Sequence, residues 1–312
     1  MVAALLSRCA FGPTRGPITC AVSGGPDSTA LLALAVATGR PVTAIHVDHG
    51  HRVGSDTEGA SVAASAQVLG AESVSVAIQV PDGPNLEARW RDARRDCLPS
   101  GTVWGHTADD QAETVLLALI RGAGVSGLAG IPPTGHPIIA LRRSETVALC
   151  AALGLAVVTD PSNLDPRFRR NRIRHEVLPL LTDIAQRDVV PLLVRTAGIN
   201  RELDGWLNDQ AGRLELADVS RDAAEVDSTV DAAVLRAAPR PVAVAAVRAW
   251  WREITGSVHP PDSAALGRIL DVAAQRAVSA DVVGGWRVAR TGDRLRLVRR
   301  DDPPVPVDRS AR

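Results

Sequence analysis

The sequence predicts an α/β fold, in which a doubly wound parallel sheet is followed by a second, smaller, mostly helical domain that ends in a β-hairpin. Three observations predict it. Short apolar runs alternate with alanine-rich helical runs through the first half of the 312 residues, which is typical of a parallel sheet. Polar clusters follow three of the predicted strands, at the edge where such sheets bind ligands. Beyond about residue 190, helical patterns replace this alternation.

The first four strands are predicted where apolar runs lie between turn residues, and a helix is expected after each of them. The strands are expected at 17–22, 41–50, 72–80 and 101–106. The helices are expected at 28–39, 58–70, 84–98 and 108–122. Glycines at positions 39 and 70 end the first two helices. The polar clusters are Ser23–Ser28, His46–His51 and His106–Glu113.

The second half is predicted to contain a long helix at 191–215, two helices within 228–256, and a hairpin at 282–300 that turns at 291–293. The two helices are expected to break near Pro239–Pro241. Trp250 and Trp251 are expected to lie in the core of this part. The chain is therefore divided into a first domain at 1–190, a second domain at 191–302 and a disordered tail at 303–312.

Composition narrows the possible functions. Hydrophobic residues make up 46% of the chain and charged residues 22%, which is typical of a globular protein. The sequence contains no lysine, so a P-loop lysine and a Schiff-base lysine are both excluded. The formal net charge is zero, so any contact with a nucleic acid must come from a local patch. We find no apolar run of about 18 residues and expect a cytoplasmic protein.

The stretch Ser23–Ser28, SGGPDS, joins the first strand to its helix and predicts a site for an anion. A helix N-terminus offers unpaired backbone N–H groups, and Gly24 and Gly25 let the backbone approach a ligand closely. The hydroxyl groups of Ser23 and Ser28 are able to donate to phosphate oxygens. Asp27 would repel a bare phosphate, so its presence implies Mg²⁺ between the two. An ordinary capped turn is the alternative.

The SGGPDS stretch resembles S-G-G-x-D-S, the PP-loop of the ATP pyrophosphatases, whose fold is that of the adenine nucleotide alpha hydrolases. Further motifs resemble those of one family, the tRNA(Ile)-lysidine synthases. They are WGHTADDQAETVLLALIRG at 104–122, DPSNLDPRFRRNRIRHEVLPLL at 160–181 and HVDHGHR at 46–52. The resemblance is specific over about residues 17–190 and extends to the remainder only in its general plan.

The resemblance implies an activity and its substrates. In this family, ATP adenylates the oxygen on carbon 2 of the wobble cytidine in a CAU-anticodon tRNA(Ile), with release of pyrophosphate. Free L-lysine then displaces AMP to form lysidine, which changes decoding from AUG to AUA. It implies that Ser23–Ser28 hold ATP, with Pro26 in the loop and Asp27 on Mg²⁺. The first domain is then catalytic, and the second binds tRNA.

The start of the helix at 108–122 is predicted to hold the amino acid substrate. Asp110 and Glu113 are three residues apart, so they share one face of the helix. Carboxylates there are suited to binding an ammonium group, holding Mg²⁺ or accepting a proton from an amine. The resemblance implies a lysine-binding and catalytic role for both residues. The alternative is that acidic residues here, including Asp109, stabilise the helix dipole, with Thr107 as the N-cap.

Arginines between positions 167 and 174 are predicted to bind anions. Arg174 is interpreted as a catalytic residue that meets the carboxylate of lysine or the adenylate. The tRNA backbone is the expected partner of the others, which are Arg167, Arg169, Arg170 and Arg172, together with Arg89 and Arg94 on the helix at 84–98. Pairing with Asp160 or Asp165 is the alternative. Arg172 and Arg174 are two residues apart and must point to different sides of a helix.

Three further residues complete the predicted ATP site. His46 and Asp48, at the end of the second strand, are expected beside the adenine and the ribose, together with His106 at the end of the fourth. Simple packing is the alternative for a histidine. Three rival classes share the predicted fold: a tRNA thiolase, an amidotransferase-type synthetase and a non-catalytic nucleotide-binding regulator. Thiolation requires catalytic cysteines or a metal–sulfur cluster, whereas Cys9, Cys20, Cys97 and Cys150 form no CxxC pair.

Overall fold

The computed structural model describes residues 1–13, 15–48, 55–78, 89, 93, 95–158, 161–214, 229–257 and 259–299. The chain divides into two compact units between Arg201 and Glu202. Several predictions lie outside the described residues: His49, Arg94, Asp160, the tail at 303–312 and much of the helix at 84–98. Within that helix, Arg89, Ala93, Arg95 and Asp96 are helical.

The first unit contains the predicted parallel sheet. Its strands are β1 (Ile18–Ala21), β2 (Val42–Asp48), β3 (Glu72–Ala77) and β4 (Val103–Trp104), in the order β3-β2-β1-β4. Every pairing is parallel, with Ile18 opposite Val42, Thr43 opposite Glu72 and Cys20 opposite Val103. β1 and β4 are neighbours although β2 and β3 lie between them in the chain, so the direction in which strands are added reverses here. This is the topological switch point, where open α/β sheets bind ligands.

The sheet is covered on both faces. Val42 and Ala44 of β2 belong to the core that also contains Leu31 and Leu34, while Ile45 and Val47 belong to a separate core. The side chains of a strand alternate between its two faces, so these two cores lie on opposite sides of the sheet. β1 and β2 are largely buried, which explains why their sequences read as short apolar runs, whereas β3 at the edge of the sheet is mostly exposed.

The first unit contains the helices predicted at 28–39, 58–70 and 108–122, together with several short helices that were not assigned from the sequence. They are α1 (Val2–Leu6), α2 (Pro26–Val36), α3 (Ser55–Leu69), α4 (Ala108–Ile120), α5 (Val125–Leu128), α6 (Arg143–Ala152), α7 (Arg169–Arg172), α8 (Leu178–Ala185) and the start of α9 (Val190–Gly212). A 3-10 turn lies at Pro161–Leu164, and a π-helical turn at Ile173–Val177 joins α7 to α8.

The second unit combines helices with an antiparallel sheet. After the end of α9 come α10 (Ala232–Ala237), α11 (Arg240–Thr255) and α12 (Ser263–Ala273), of which α12 was not assigned from the sequence. The strands β5 (Val230–Asp231), β6 (Ser279–Asp281), β7 (Trp286–Thr291) and β8 (Arg294–Arg299) pair in the order β5-β8-β7-β6.

β7 and β8 form the predicted hairpin, in which Thr291 pairs with Arg294. A 3-10 turn at Val283–Gly285 leads into β7. Trp250 and Trp251 are each 3% exposed and lie in the core of the second unit, as predicted. Within the part of the chain that the structure describes, no helix has the length and apolar character needed to cross a membrane.

Candidate active site

The candidate site lies at the topological switch point, where the segments that leave β1 and β4 meet. Gly105, which follows β4, lies against the first turn of α2. A Cβ atom at Gly105 would approach the carbonyl oxygen of Asp27 and the Cα atom of Ser28 to 2.9 Å each. The absence of a side chain therefore allows the segment that follows β4 to pass directly against the loop that follows β1.

The Ser23–Ser28 loop is ordered by its own hydroxyl groups. The backbone N–H of Ser23 donates to the Ser28 hydroxyl at 3.1 Å, and the Ser28 hydroxyl donates to the Gly25 carbonyl at 3.0 Å. Gly24 has a φ of +85°, a left-handed conformation that favours glycine. Gly25 is the N-cap residue of α2, and Pro26 occupies its first turn. The loop thus presents a helix N-terminus held in a fixed shape.

The carboxylate of Asp27 is held by α6. Its Oδ2 accepts from the Nε of Arg143 at 2.9 Å, and its Oδ1 accepts from the hydroxyl of Thr146. Burial raises the pKa of Asp27, although Arg143 and Thr146 oppose this effect. A carboxylate oxygen beside a helix N-terminus is a suitable ligand for Mg²⁺ in contact with phosphate. The carboxylate of Asp27 is therefore suited to bind Mg²⁺, and its Oδ2 becomes available to the ion when Arg143 releases it.

The two oxygens of Asp110 have different partners. Oδ2 accepts from the backbone N–H of Thr107 at 2.8 Å and from its hydroxyl at 2.9 Å, so it caps α4. Oδ1 faces Arg143 at 2.9 Å and Arg170 at 3.4 Å. The sequence offers helix capping and cation binding as alternatives for Asp110. In the structure, Oδ2 caps the helix and Oδ1 contacts the cationic groups. Burial raises its pKa, but Arg143 and Arg170 outweigh burial and hold the pKa of Asp110 below its ordinary value.

Glu113 is fully buried and is surrounded by guanidinium groups. Its Oε1 accepts from Arg174 Nε at 2.6 Å and from Arg143 at 3.3 Å, and its Oε2 accepts from Arg170 Nε at 2.6 Å. Arg170 and Arg174 are four residues apart, which puts them on the same face of their helical segment. Arg174 lies in the π-helical turn, a distortion that occurs frequently at functional sites.

Asp109 points away from this cluster. It accepts from Arg142 Nε at 3.1 Å and from the backbone N–H of Arg143 at 2.8 Å, and Arg142 also pairs with Asp188. Burial opposes ionisation of Asp109, yet its contacts with Arg142 and Arg143 keep its pKa below the ordinary value. Asp109 therefore anchors the start of α6 to α4, and this contact positions Arg143.

The two described histidines of the predicted ATP site have different surroundings. The Nδ1 of His46 lies 3.0 Å from the carbonyl oxygen of Val22, and the side chain is 3% exposed. A Cβ atom at Gly59 of α3 would lie 3.5 Å from its Cδ2, so His46 is packed beneath that helix. The ring of His106 packs against that of His136, with centroids 4.7 Å apart. Burial lowers the pKa of His106 to about 4.

The predicted tRNA-binding arginines are not grouped together. Arg170 lies in the carboxylate cluster, with Glu113 and Asp110 as partners. Arg167 pairs with Asp165 at 2.7 Å, Arg172 pairs with Glu176 at 2.8 Å, and Arg169 is exposed. Arg172 and Arg174 point to different sides, as their spacing predicts. Arg89 and Asp48 are partly exposed, and Arg94 lies outside the described residues.

Sequence reasoning missed Arg142, Arg143 and Thr146. They lie more than 25 residues beyond Glu113 along the chain, and nothing in the local pattern LRRSET distinguishes one arginine from the other. The signal that was present is Glu145, whose carboxylate accepts from the backbone N–H of Arg142 at 2.8 Å and marks the start of α6. Had a helix beginning at Arg143 been assigned, the side chains of its first turn would have been candidates for the site.

The strand order and the loop after β1 define a PP-loop domain, a class that binds ATP. Residues 4–181 match the family model of the PP-loop domain. A solved structure of the U34-tRNA thiolase from Methanococcus maripaludis, with its [4Fe-4S] cluster, has the same fold, with a TM-score of 0.50. It is 17% identical and covers 64% of this chain and 78% of that one, so the likeness concerns the fold alone.

Two relatives extend the match to most of the chain. The tRNA(Ile)-lysidine synthase of Nocardia farcinica is 39% identical over 304 residues, which cover 93% of each chain. That of Mycolicibacterium paratuberculosis is 40% identical over 290 residues, which cover 90% of this chain and 87% of the relative. The chain belongs to the tRNA(Ile)-lysidine synthase family.

Proposed function

We propose that this protein converts the wobble cytidine of CAU-anticodon tRNA(Ile) to lysidine, using ATP and free L-lysine. The observation that supports the proposal most strongly is the position of Asp110 and Glu113, whose carboxylates share Arg143 with Asp27 of the PP-loop. A site for a nucleotide and a site for a cationic amino acid therefore adjoin each other. The tRNA substrate implies that the protein acts in the cytoplasm.

Adenylation is the first half-reaction. Ser23–Ser28 are proposed to hold the β- and γ-phosphates against the N-terminus of α2, which leaves the α-phosphorus accessible. The oxygen on carbon 2 of the cytidine attacks that phosphorus, and the bond to pyrophosphate breaks. Asp27 is proposed to hold Mg²⁺, which would neutralise phosphate charge. His46, Asp48 and His106 are the proposed contacts of the nucleoside.

Lysine transfer is the second half-reaction. The amine of lysine attacks carbon 2, and the bond from that carbon to the adenylated oxygen breaks to release AMP. Asp110 and Glu113 are proposed to bind an ammonium group of lysine and to accept the proton that the amine loses. Arg174 is proposed to bind the lysine carboxylate or the adenylate, because a guanidinium fork matches either group.

The tRNA is proposed to contact exposed arginines of the first unit and a part of the second unit. Arg89, Arg94, Arg167, Arg169 and Arg172 are the proposed phosphate contacts, with Arg170 nearer to the reacting groups. Domain limits of 1–190 for catalysis and 191–302 for tRNA binding remain the working division of the chain.

The chemistry of the cysteines argues against the thiolase alternative. Cys20 and Cys150 are buried in the core that covers one face of the sheet, while Cys97 packs against a different core. Burial raises the pKa of Cys20 to about 12 and that of Cys150 to about 11, so both thiols remain protonated at neutral pH. Thiolation requires a reactive thiolate or a cysteine-bound cluster.

The proposal predicts a strict requirement for three substrates. Purified full-length protein is expected to release AMP only when ATP, L-lysine and a CAU-anticodon tRNA(Ile) transcript are all present, whereas ATP and tRNA without lysine give at most one pyrophosphate per tRNA. AMP is measured by chromatography, and lysidine by mass spectrometry of the digested tRNA. A transcript with uridine at the wobble position is the matched control and is expected to give neither product. Formation of ADP, or turnover that is indifferent to lysine, would contradict the proposal.

A further inference from the structure

We propose that Arg143 is an internal competitor for the ammonium group of lysine, so that its displacement determines how tightly lysine binds. The inference rests on the proposed function, because it assumes that Asp110 and Glu113 receive this substrate. It goes further by assigning a role to a residue of α6 that lies outside the sequence motifs. Arg143 acts through these carboxylates and is therefore a positioning residue.

The guanidinium of Arg143 makes one contact with each of three carboxylates. Its Nε lies 2.9 Å from Oδ2 of Asp27, and its Nη2 lies 2.9 Å from Oδ1 of Asp110. Its Nη1 lies 3.3 Å from Oε1 of Glu113. Among the arginines in the described part of the chain, it is the one that joins the PP-loop carboxylate to the predicted lysine site. It thus makes the type of contact that the ammonium group of a substrate would make.

The charges of the cluster explain why this contact must be given up. Three carboxylates, those of Asp27, Asp110 and Glu113, face three guanidinium groups, those of Arg143, Arg170 and Arg174. Because these charges are balanced, a further cation at the same carboxylates would add an uncompensated positive charge in a largely buried place. Lysine binding is therefore favourable only when one guanidinium leaves.

Arg143 is the guanidinium best suited to leave. Arg170 and Arg174 each approach Glu113 to 2.6 Å through Nε, whereas Arg143 is 3.3 Å from that residue. Its side chain is 23% exposed, as is that of Arg174, and that of Arg170 is 37% exposed, so solvent access does not distinguish the three. Release from Asp27 would also bring its charge beside the phosphates of ATP, which are a second partner for a guanidinium.

The main test compares Arg143→Gln with Arg40→Gln. Removing the competing cation is expected to lower the half-saturating lysine concentration by about fivefold or more, in assays of AMP release at saturating ATP and tRNA. Arg40 donates to the carbonyl groups of Gly16 and Phe11 instead of to the carboxylate cluster, so its substitution is expected to leave this concentration unchanged. An unchanged or increased value in Arg143→Gln would overturn the inference.

Two further measurements distinguish competition from a structural effect. Millimolar guanidinium ion is expected to restore the higher lysine requirement in Arg143→Gln, because it replaces the missing group. In the wild-type protein, lysine is expected to accelerate the modification of Arg143 by phenylglyoxal relative to that of exposed Arg15, measured by peptide mass spectrometry against sodium chloride at equal ionic strength. The second measurement needs no variant, and an unchanged rate would overturn the inference even if Arg143→Gln failed to fold.

The two proposals fail in different ways. If the wild-type protein releases no AMP in response to lysine and tRNA, the proposed function is wrong. If the wild-type protein depends on lysine but removal of Arg143 does not strengthen lysine binding, the function stands and only the role of Arg143 is wrong.

Discussion

Glu113 shows how a single residue determines the chemistry of the site. A fully buried carboxylate is costly unless it is paired, and the guanidinium groups of Arg143, Arg170 and Arg174 supply that pairing. Conversely, these arginines converge in a small space because Glu113 and Asp110 are there. The carboxylates and arginines therefore form one electrostatic unit, in which the loss of any member leaves the charge of the others uncompensated.

We expect Glu113→Gln to lower the free energy of unfolding by about 3 kcal/mol at pH 7, because it leaves converging guanidinium groups without a buried partner. Urea unfolding followed by circular dichroism measures this change. Glu176→Gln is the matched control, since Glu176 pairs with Arg172 on an exposed surface and its loss is expected to have no measurable effect. Equal effects of the two substitutions would show that the buried cluster does not contribute to stability.

At the scale of single residues, residue type and spacing identified the carboxylates of the site but not all of its arginines. Asp27, Asp110 and Glu113 were found because each lies in a motif that follows a predicted strand. The contact between Arg143 and Asp27 joins residues 116 positions apart in the chain, and a single sequence contains no measure of that distance. Arg170 lies on the same face as Arg174, as a spacing of four residues indicates, and its role in binding tRNA stays a prediction.

Among the elements, those with strong apolar patterns were predicted well. The positions of β1 and β2 followed from apolar runs, and the hairpin of β7 and β8 from its turn at Gly292. β4 pairs over two residues only, and Gly105, which follows it, lies against the backbone at Asp27 and Ser28. The π-helical turn at Ile173–Val177 was not predicted, since a single extra residue in a turn leaves no pattern in the sequence.

The contact between the end of β4 and the start of α2 gives a prediction at the scale of elements. We expect Gly105→Ala to weaken ATP binding, because the new methyl group would collide with the backbone at Asp27 and Ser28 and would displace the first turn of α2. Backbone atoms cannot move aside as a side chain does, so the PP-loop itself must shift. Isothermal titration calorimetry with a non-hydrolysable ATP analogue measures the change in affinity.

Gly198→Ala is the control for that substitution. Gly198 lies within α9, and a Cβ atom there would meet nothing within 4 Å. It is expected to leave ATP binding unchanged and to stabilise the protein by about 0.5–1 kcal/mol, since alanine favours a helix over glycine. If both alanine variants bind the analogue as the wild-type protein does, the close approach of Gly105 has no role in shaping the loop.

For the whole molecule, the central constraint is that a protein with no net charge must bind a polyanion. Its 35 basic residues are matched by 35 acidic residues, so no overall field attracts tRNA. Several arginines are already paired within the chain, including those at Asp271, Asp281 and Asp293. Binding must therefore depend on a limited number of arginines whose charge remains available at the surface.

Arg169 is an exposed arginine of this kind, at the start of α7 beside the candidate site. If it contacts a tRNA phosphate, Arg169→Ala should weaken binding and should reduce the slope of log K against log salt concentration by about 0.7–0.9, the contribution of one phosphate contact. Filter binding of labelled tRNA(Ile) between low and physiological salt gives both slopes. Arg276→Ala, which removes an exposed arginine paired with Asp271 in the second unit, is the control and should leave the slope unchanged. Identical slopes for wild type and Arg169→Ala would remove Arg169 from the tRNA interface, whereas a loss of affinity at constant slope would indicate a contact that does not involve phosphate.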